Sequence, residues 1–379
     1  MHLKLRGHIK LDRPLAIPAQ QDNARGARAA WPQLILRGPA IVDGGVSVVN
    51  WTRDTRRPWL YSAPVPVELS LPAEKSITQL WDGEKRIPLA RTPILHYSHL
   101  GTLNATSGLA RSVVLNSTRG IPRDFEPSLG VLLFIYHAWD VSYHPVINLR
   151  RSGGNMSGVE LAVGNWIKTS WGVGAGAPGY RCFIEGHESF LHEGSATFVH
   201  DVRAMRLLYA PADGKAPGQA TIIPRLAELL RSDGASSVTL QDLTFQHSAV
   251  DFSGCLSSAS FCEMQSAADQ SVAALHWTNS ERVVLRNITI QHTGGYGLWF
   301  DSGTRDAVAN RVHLRDLGAG GIRMTMAHNI TVADSVIENG GHVWREGVGV
   351  LMQSANRSVV EHNLISKFFY TGKSWLNSL

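Results

Sequence analysis

The sequence predicts an all-β protein: a parallel β-helix with an inserted, mostly antiparallel, β-rich accessory region. Two observations predict this fold class. A short strand pattern recurs about every 24 residues between Val238 and Phe369, a period typical of stacked repeats. In addition, 36 glycines and 17 prolines are spread between short runs rich in Val, Ile, Leu and Thr, as expected for many short strands and turns. A unit of this size cannot bury its apolar face alone, so the copies must stack.

The repeated strands align position by position. Residues 242–247, 287–292 and 311–316 match, and weaker copies follow at 333–339 and 359–365. Two apolar columns result, one of Leu243, Ile288 and Val312 and one of Phe245, Ile290 and Leu314. Because strand side chains alternate between faces, both columns are predicted to point into the helix. Hairpin signals such as Asn-Gly are sparse, which disfavours a β-sandwich as the alternative.

The same patterns divide the chain into three parts. Residues 1–63 are predicted to form N-terminal coils, 64–236 the accessory region, and 237–379 the repeat coils. The accessory region is irregular and rich in Pro, Trp and Gly, with strand-like runs such as Val131–Tyr136. One short helix is predicted at Pro224–Leu230. Because the chain ends without a polar capping element, we expect the repeat to be C-terminally truncated.

Composition excludes several classes of protein. Hydrophobic residues make up 44% and charged residues 18% of the chain, which excludes a disordered protein. No apolar run approaches the ~18 residues of a membrane-spanning helix. The net charge is +5 and the Lys and Arg residues are scattered, which disfavours nucleic acid as a partner. We expect a monomer.

Seven asparagines lie in Asn-x-Ser/Thr motifs, where chance would give about two. They are Asn50, Asn104, Asn116, Asn155, Asn287, Asn329 and Asn356. The excess indicates a secreted or cell-surface glycoprotein, although such motifs also suit turns. The start of the chain lacks a signal peptide, so we expect a fragment with a missing N-terminus. Of the three cysteines, Cys255 and Cys262 could close one small loop.

Parallel stacking brings equivalent positions into columns about 4.8 Å apart. In the predicted register, His247, His292, Asp316 and Asn339 fall in one column, at the boundary between strand and corner. Carboxylates and aromatic residues follow closely in sequence. Aromatic faces beside carboxylates are typical of sugar-binding sites, because sugar C–H faces stack on rings while hydroxyls need polar partners.

Glycoside hydrolysis needs two carboxylates, about 5 Å apart in retaining enzymes and about 6.5 to 9.5 Å apart in inverting ones. Neighbouring coils supply the shorter spacing, so Asp316 is predicted to pair with Glu346 or Glu338. The candidate catalytic residues are Asp316, Glu346 and Asp301, and the candidate substrate-binding residues are His292, Tyr296, Trp299, His342, Trp344 and Tyr370. Stacked polar residues in a β-helix can also serve only to form its corners.

No organic cofactor and no metal site is predicted. His187 and His192 resemble a zinc motif, but they are five residues apart and so lie on different faces of a helix. A polysaccharide lyase would need a base together with acidic calcium ligands. Arg323 and Arg345 could act as bases, but no acidic cluster accompanies them.

Three segments carry a resemblance to a known group. Residues 41–45 (Ile-Val-Asp-Gly-Gly), 80–93 and 203–211 resemble the right-handed parallel β-helix proteins of the pectin-lyase-like superfamily. They are most similar to relatives of glycoside hydrolase family 141. The resemblance implies a secreted carbohydrate-active enzyme with a polysaccharide or oligosaccharide substrate, in a family known for fucosidase and xylanase activities, and it places one of the family's aspartates at Asp316. The alternative is a non-catalytic carbohydrate-binding or surface β-helix.

Overall fold

The computed structural model describes most of the 379 residues. The residues outside the description are 20–32, 70–75, 105–108, 138–139, 152–158, 169–180, 219, 251, 253–255, 257–261, 263–264, 268–271 and 377–379.

Strands dominate the structure. In chain order they are β1 (His2–Lys4), β2 (Gly7–Lys10), β3 (Leu15–Ile17), β4 (Leu34–Asp43), β5 (Gly45–Ser47), β6 (Thr52–Arg53), β7 (Tyr61–Pro64), β8 (Leu80–Asp82), β9 (Lys85–Ile87), β10 (Leu95–Asn104), β11 (Leu109–Leu115), β12 (Leu132–Tyr136), β13 (Val141–Arg151), β14 (Val159–Lys168), β15 (Arg181–Glu185), β16 (Thr197–Asp201), β17 (Arg206–Ala210), β18 (Thr221–Pro224), β19 (Leu230–Asp233), β20 (Ser236–Gln246), β21 (Ala273–Thr278), β22 (Glu281–Thr293), β23 (Tyr296–Phe300), β24 (Arg305–Leu317), β25 (Ile322–Thr325), β26 (His328–Ala333), β27 (Val336–Gly340), β28 (Val350–Gln353), β29 (Val359–Glu361), β30 (Leu364–Phe368) and β31 (Lys373–Leu376). The helices among the described residues are short 3₁₀ turns at Val67–Leu69, Glu188–Phe190 and Gln265–Ala267.

The chain forms two compact units. The first comprises Met1–Gly45, Pro224–Asp251 and Ser266–Leu379, and the second comprises Val46–Ile223 and Phe252–Gln265. The predicted boundaries lay after residues 63 and 236, whereas the chain passes between the two units after residues 45, 223, 251 and 265.

The first unit is a parallel β-helix. One sheet has the strand order β1-β4-β20-β22-β24-β26-β29, with β2, β27 and β30 continuing it, and the second has the order β3-β19-β21-β23-β25-β28-β31. Neighbouring strands in both sheets pair in parallel. Since each turn of the chain contributes to both sheets, consecutive turns stack as coils. The predicted β-helix is confirmed.

The predicted register is also confirmed. Leu243 pairs with Ile288 and Ile288 with Val312, while Phe245 pairs with Ile290 and Ile290 with Leu314. All six side chains are at most 2% exposed and belong to one apolar core between the sheets. Burial of each such side chain contributes about 1.5 to 3 kcal/mol, which explains why the stack follows the apolar pattern.

Residues with positive φ form the corners of the coils. Asp242, Asn287 and Arg311 occupy one column, with φ between 52° and 58°. Asn and Asp tolerate this left-handed region better than other side chains with a Cβ. The Asn287 amide also donates a 2.8 Å hydrogen bond to the Asp242 carboxylate on the preceding coil. Corner chemistry therefore fixes both the backbone turn and the contact between coils.

The second unit is built from antiparallel pairs around a closed six-stranded barrel. The barrel order is β10-β11-β14-β13-β12-β15, and each of its strand pairs is antiparallel. Two four-stranded sheets, β16-β17-β7-β6 and β5-β18-β8-β9, complete the arrangement. The predicted antiparallel accessory region is thus confirmed, and it contains a barrel that sequence patterns did not predict.

The helix predicted at Pro224–Leu230 was wrong. β18 ends at Pro224 and β19 begins at Leu230, with no helix between them. Tertiary contacts replace helical hydrogen bonds: the Arg225 N–H donates to the Gly44 carbonyl and the Leu229 N–H donates to the Ala274 carbonyl. Seven residues form a helix only marginally on their own, and the buried Leu229 side chain gains more from the β-helix core.

The cysteines differ in their bonding. Cys262 is disulfide-bonded and Cys182 is a buried free thiol, while the predicted partner Cys255 lies outside the described residues. The pairing of Cys255 with Cys262 therefore stays a prediction. None of the helices in the described part of the chain is long and apolar enough to cross a membrane.

Five of the seven motif asparagines are exposed, namely Asn50, Asn116, Asn287, Asn329 and Asn356. The side chains of Asn104 and Asn155 lie outside the description. Asn287 and Asn329 donate their amides to carboxylates on the preceding coil, Asp242 and Asp306. These two asparagines therefore have a structural use at the corners, and glycosylation stays a prediction.

Candidate functional site

Asp316 lies in a corner column of the β-helix, between two histidines. The register places His247, His292, Asp316 and Asn339 at equivalent positions, and all four have positive φ. Nδ1 of His292 donates a 2.7 Å hydrogen bond to Oδ2 of Asp316. Nε2 of His342 lies 3.6 Å from the other oxygen, Oδ1. Each oxygen of the carboxylate therefore faces one imidazole.

The site is largely enclosed. Asp316 is 8% exposed and His292 1% exposed, while the His342 side chain is 25% exposed. His342 belongs to the loop after β27, which the N–H groups of Val343 and Trp344 fix by donating to the Gly318 carbonyl. The loop thus brings His342 next to Asp316.

A second aspartate–histidine pair precedes the first along the stack. Nδ1 of His247 donates to Oδ1 of Asp43 at 3.0 Å, and the His247 ring stacks on the His292 ring with centroids 5.0 Å apart. Burial lowers the pKa of His247 and outweighs the opposing effect of Asp43. Burial would raise the pKa of Asp43, but hydrogen bonds from His247, Lys10 and Gln246 outweigh burial and hold that pKa below its usual range.

We expect Asp43→Asn to lower the free energy of unfolding by about 2 kcal/mol at pH 7, because buried donors lose a charged acceptor. A carboxyl whose folded pKa is depressed contributes stability above its unfolded pKa of about 3.9 and loses it as the pH falls towards the folded pKa. The difference between parent and variant should therefore be smaller at pH 3 than at pH 7 in urea unfolding. The control Asp306→Asn changes an exposed corner carboxylate. An equal difference at both pH values would contradict this account of Asp43.

A second polar cluster lies on the face of the second sheet that points away from the core. Nδ1 of His276 contacts Glu228 at 2.8 Å, and Nε2 contacts Asp301 at 3.1 Å. Burial disfavours protonation of His276, but hydrogen bonds to the two carboxylates outweigh it and raise the pKa of His276. Burial likewise would raise the pKa of Asp301, yet the hydrogen bonds from His276 and the Ser302 N–H lower it. The two carboxylates therefore favour the protonated form of His276.

Aromatic and charged residues stack along the same face. The His276 ring lies parallel to the Trp299 ring at 4.3 Å, and the Arg323 guanidinium lies 4.1 Å from the Trp299 ring centroid. Because these residues pair in register, consecutive coils build the stack. Its members are 6 to 8% exposed, so they present little open surface.

Tyr296 and Glu346 lie near Arg323. Burial raises the pKa of Tyr296; Arg323 lowers it and Glu346 raises it, and burial outweighs the effect of Arg323. Glu346 is 2% exposed, and Tyr296 and Trp344 are fully buried. Trp344 and Glu346 are thus buried members of the loop after β27.

The predicted site residues fall into separate groups. His292 and His342 contact Asp316, whereas Trp299 and Asp301 belong to the cluster around His276. β23 separates His292 from Asp301 and spans about 13 Å, so Asp301 lies at the opposite end of that strand from the corner. Glu338 contacts His313 and Lys367, and hydrogen bonding from His313 lowers its pKa. Tyr370 is 40% exposed.

Sequence reasoning missed Asp43, Glu228 and His276. Asp43 pairs in register with Gln246. Aligning the strand that ends at Asp43 with residues 242–247 would therefore have placed Asp43 beside His247. His276 lies in a strand that pairs with β23, so its alternation with Leu275 and Trp277 was a usable signal. Glu228 had no signal, because the residues around it are predicted to be helical. Among the described residues, no group of three or more His, Cys, Asp or Glu side chains could hold a metal ion.

Comparisons with known proteins agree with this architecture. Residues 273–374 match the family model described as "Right handed beta helix region". A solved structure titled "Glycoside hydrolase" superposes with a TM-score of 0.76 at 14% identity, covering 99% of this chain and 72% of that chain. A second, "The complex structure of XylC with xylose", has a TM-score of 0.38 at 7% identity, covering 90% of this chain and 51% of that chain. No curated protein matches significantly. The chain thus has the right-handed parallel β-helix fold, in an arrangement shared with a solved glycoside hydrolase.

Proposed function

We propose that the protein is a glycoside hydrolase that acts on a polysaccharide or oligosaccharide through Asp316. One observation carries this proposal: a carboxylate that is 8% exposed is held by His292 at 2.7 Å and lies 3.6 Å from the partly exposed His342 imidazole. A fixed and partly desolvated carboxylate is what acid–base or nucleophilic catalysis at a glycosidic bond requires. The fold shared with a solved glycoside hydrolase supports the same reaction class.

Glu346 is the proposed second carboxylate. It follows His342 in the same loop, and it is buried beside Tyr296. In the proposed division, Asp316, held by its hydrogen bond from His292, is the nucleophile or base, and Glu346 is the acid that donates a proton to the leaving oxygen. No organic cofactor takes part in this scheme.

The second candidate is a non-catalytic carbohydrate-binding protein. The burial of Glu346, Trp299 and Trp344 favours it, because these side chains also suit a purely supporting role. Under either function we propose a secreted or cell-surface glycoprotein that acts as a monomer. The exposure of five motif asparagines supports glycosylation.

Turnover on a panel of glycans tests the first proposal. The parent protein is incubated with fucosylated oligosaccharides, xylan and galactan, and the products are identified by reducing-end analysis and NMR. Released reducing sugar that disappears with Asp316→Asn supports a hydrolase. Products with an unsaturated ring that absorbs in the ultraviolet would indicate a lyase instead. Binding without turnover would favour the second candidate.

A further inference from the structure

An exposed aromatic ring lies beside the Asp316 corner. Phe369 directly follows β30 and is 58% exposed. Its ring meets the His342 ring edge to face, with centroids 6.1 Å apart and an interplanar angle of 82°. His342 in turn lies 3.6 Å from Asp316. The Phe369 ring is therefore one side chain away from the proposed catalytic carboxylate.

A charged group packs against this ring. The Arg345 guanidinium lies over one face of the Phe369 ring, with its carbon 4.5 Å from the ring centroid, and Tyr370, the next residue in the chain, is 40% exposed. Gly341 leaves room for the ring beside the loop after β27: its φ is +84°, and a Cβ there would lie 3.1 Å from the Phe369 ring. The Phe369 ring thus packs against the loop that carries His342 and Arg345.

An apolar face of this kind, bordered by donors, matches one ligand chemistry. A pyranose ring has an apolar C–H face and a rim of hydroxyls, so it stacks on an aromatic ring while guanidinium and imidazole groups bind the rim. A purely apolar partner would strip water from the Arg345 guanidinium and the His342 imidazole without offering them hydroxyl groups, which is costly. A sugar avoids that cost.

We propose that Phe369, together with Arg345 and Tyr370, forms a sugar-binding platform that positions one pyranose unit of the glycan against Asp316. The role of Asp316 in this inference rests on the proposed function, whereas sugar binding by the platform does not. Phe369 acts here as a positioning residue, since it binds the sugar and leaves the chemistry to the carboxylates.

Affinity measurements without turnover test the platform. Isothermal titration calorimetry is performed with xylo-, galacto- and fucosylated oligosaccharides on four proteins: the parent, Phe369→Ala, Phe369→Tyr and the control Leu364→Ala. Leu364 is 60% exposed on β30, so its truncation removes a similar amount of exposed apolar surface. We expect Phe369→Ala to weaken binding about tenfold, Phe369→Tyr to restore it, and Leu364→Ala to leave it unchanged.

The outcomes separate the two proposals. Parent-like affinity in Phe369→Ala, or equal weakening in Leu364→Ala, would overturn the platform even if the parent hydrolyses glycans. The platform would also be overturned if the parent bound none of the sugars in the panel. Phe369-dependent binding without any turnover would support the platform and count against the hydrolase.

Discussion

Asp316→Asn is expected to reduce kcat by about 10²- to 10⁴-fold on any glycan that the parent hydrolyses, because an amide can act neither as acid, base nor nucleophile. The fold should survive. Asp316 has φ 52°, a region that Asn tolerates well, and the amide oxygen can still accept the hydrogen bond from His292. Initial rates and thermal unfolding of the variant measure the two effects separately.

Asp334→Asn is the matched control for this substitution. Asp334 is also a corner residue, with φ 54°, and it accepts a 2.8 Å hydrogen bond from the Asn310 amide. Its side chain is 52% exposed, and it lies in a different corner column. The control should keep its rate within about twofold of the parent. Equal losses of rate in both variants would show that corner geometry, and not the Asp316 carboxylate, limits activity.

Gly318→Ala is expected to destabilise the β-helix by about 3 kcal/mol or more. Thr293 pairs with Leu317, so Gly318 stacks on Gly294 of the preceding coil. A Cβ on Gly318 would lie within 3.0 Å of three backbone atoms of Gly294. Because backbone atoms cannot rotate away as a side chain can, the two coils would have to separate. Urea unfolding followed by circular dichroism measures the change.

Gly372→Ala provides the comparison within the same unit. A Cβ there would lie 3.4 Å from Ile365, an ordinary van der Waals distance. Its effect should stay within about 0.5 kcal/mol. If Gly318→Ala were as mild as this control, the close stacking of glycines at the corner would be disproved as a requirement of the fold.

The sequence predicted the β-helix because its core depends on local alternation repeated at a constant period. Leu243, Ile288 and Val312 align by that period alone, and they stack as predicted. The corner column with His292 and Asp316 followed from the same register. The helix at Pro224–Leu230 failed because a short amphipathic pattern has little stability of its own, and contacts with Gly44 and Ala274 decide its conformation.

The candidate site shows the same division. The repeat encodes the fold class of the protein, the apolar columns of its core and the corner position of Asp316, because parallel stacking makes residues one period apart neighbours. Three contacts emerge only in the folded chain: Asp43 meets His247 from 204 residues away, His342 faces Asp316, and Asp301 joins a different cluster. The inserted segment Val46–Ile223 separates Asp43 from His247 in sequence, and Asp301 and His342 lie in the loops after β23 and β27, outside the repeated strand pattern. The three-dimensional path of the chain therefore decides these contacts.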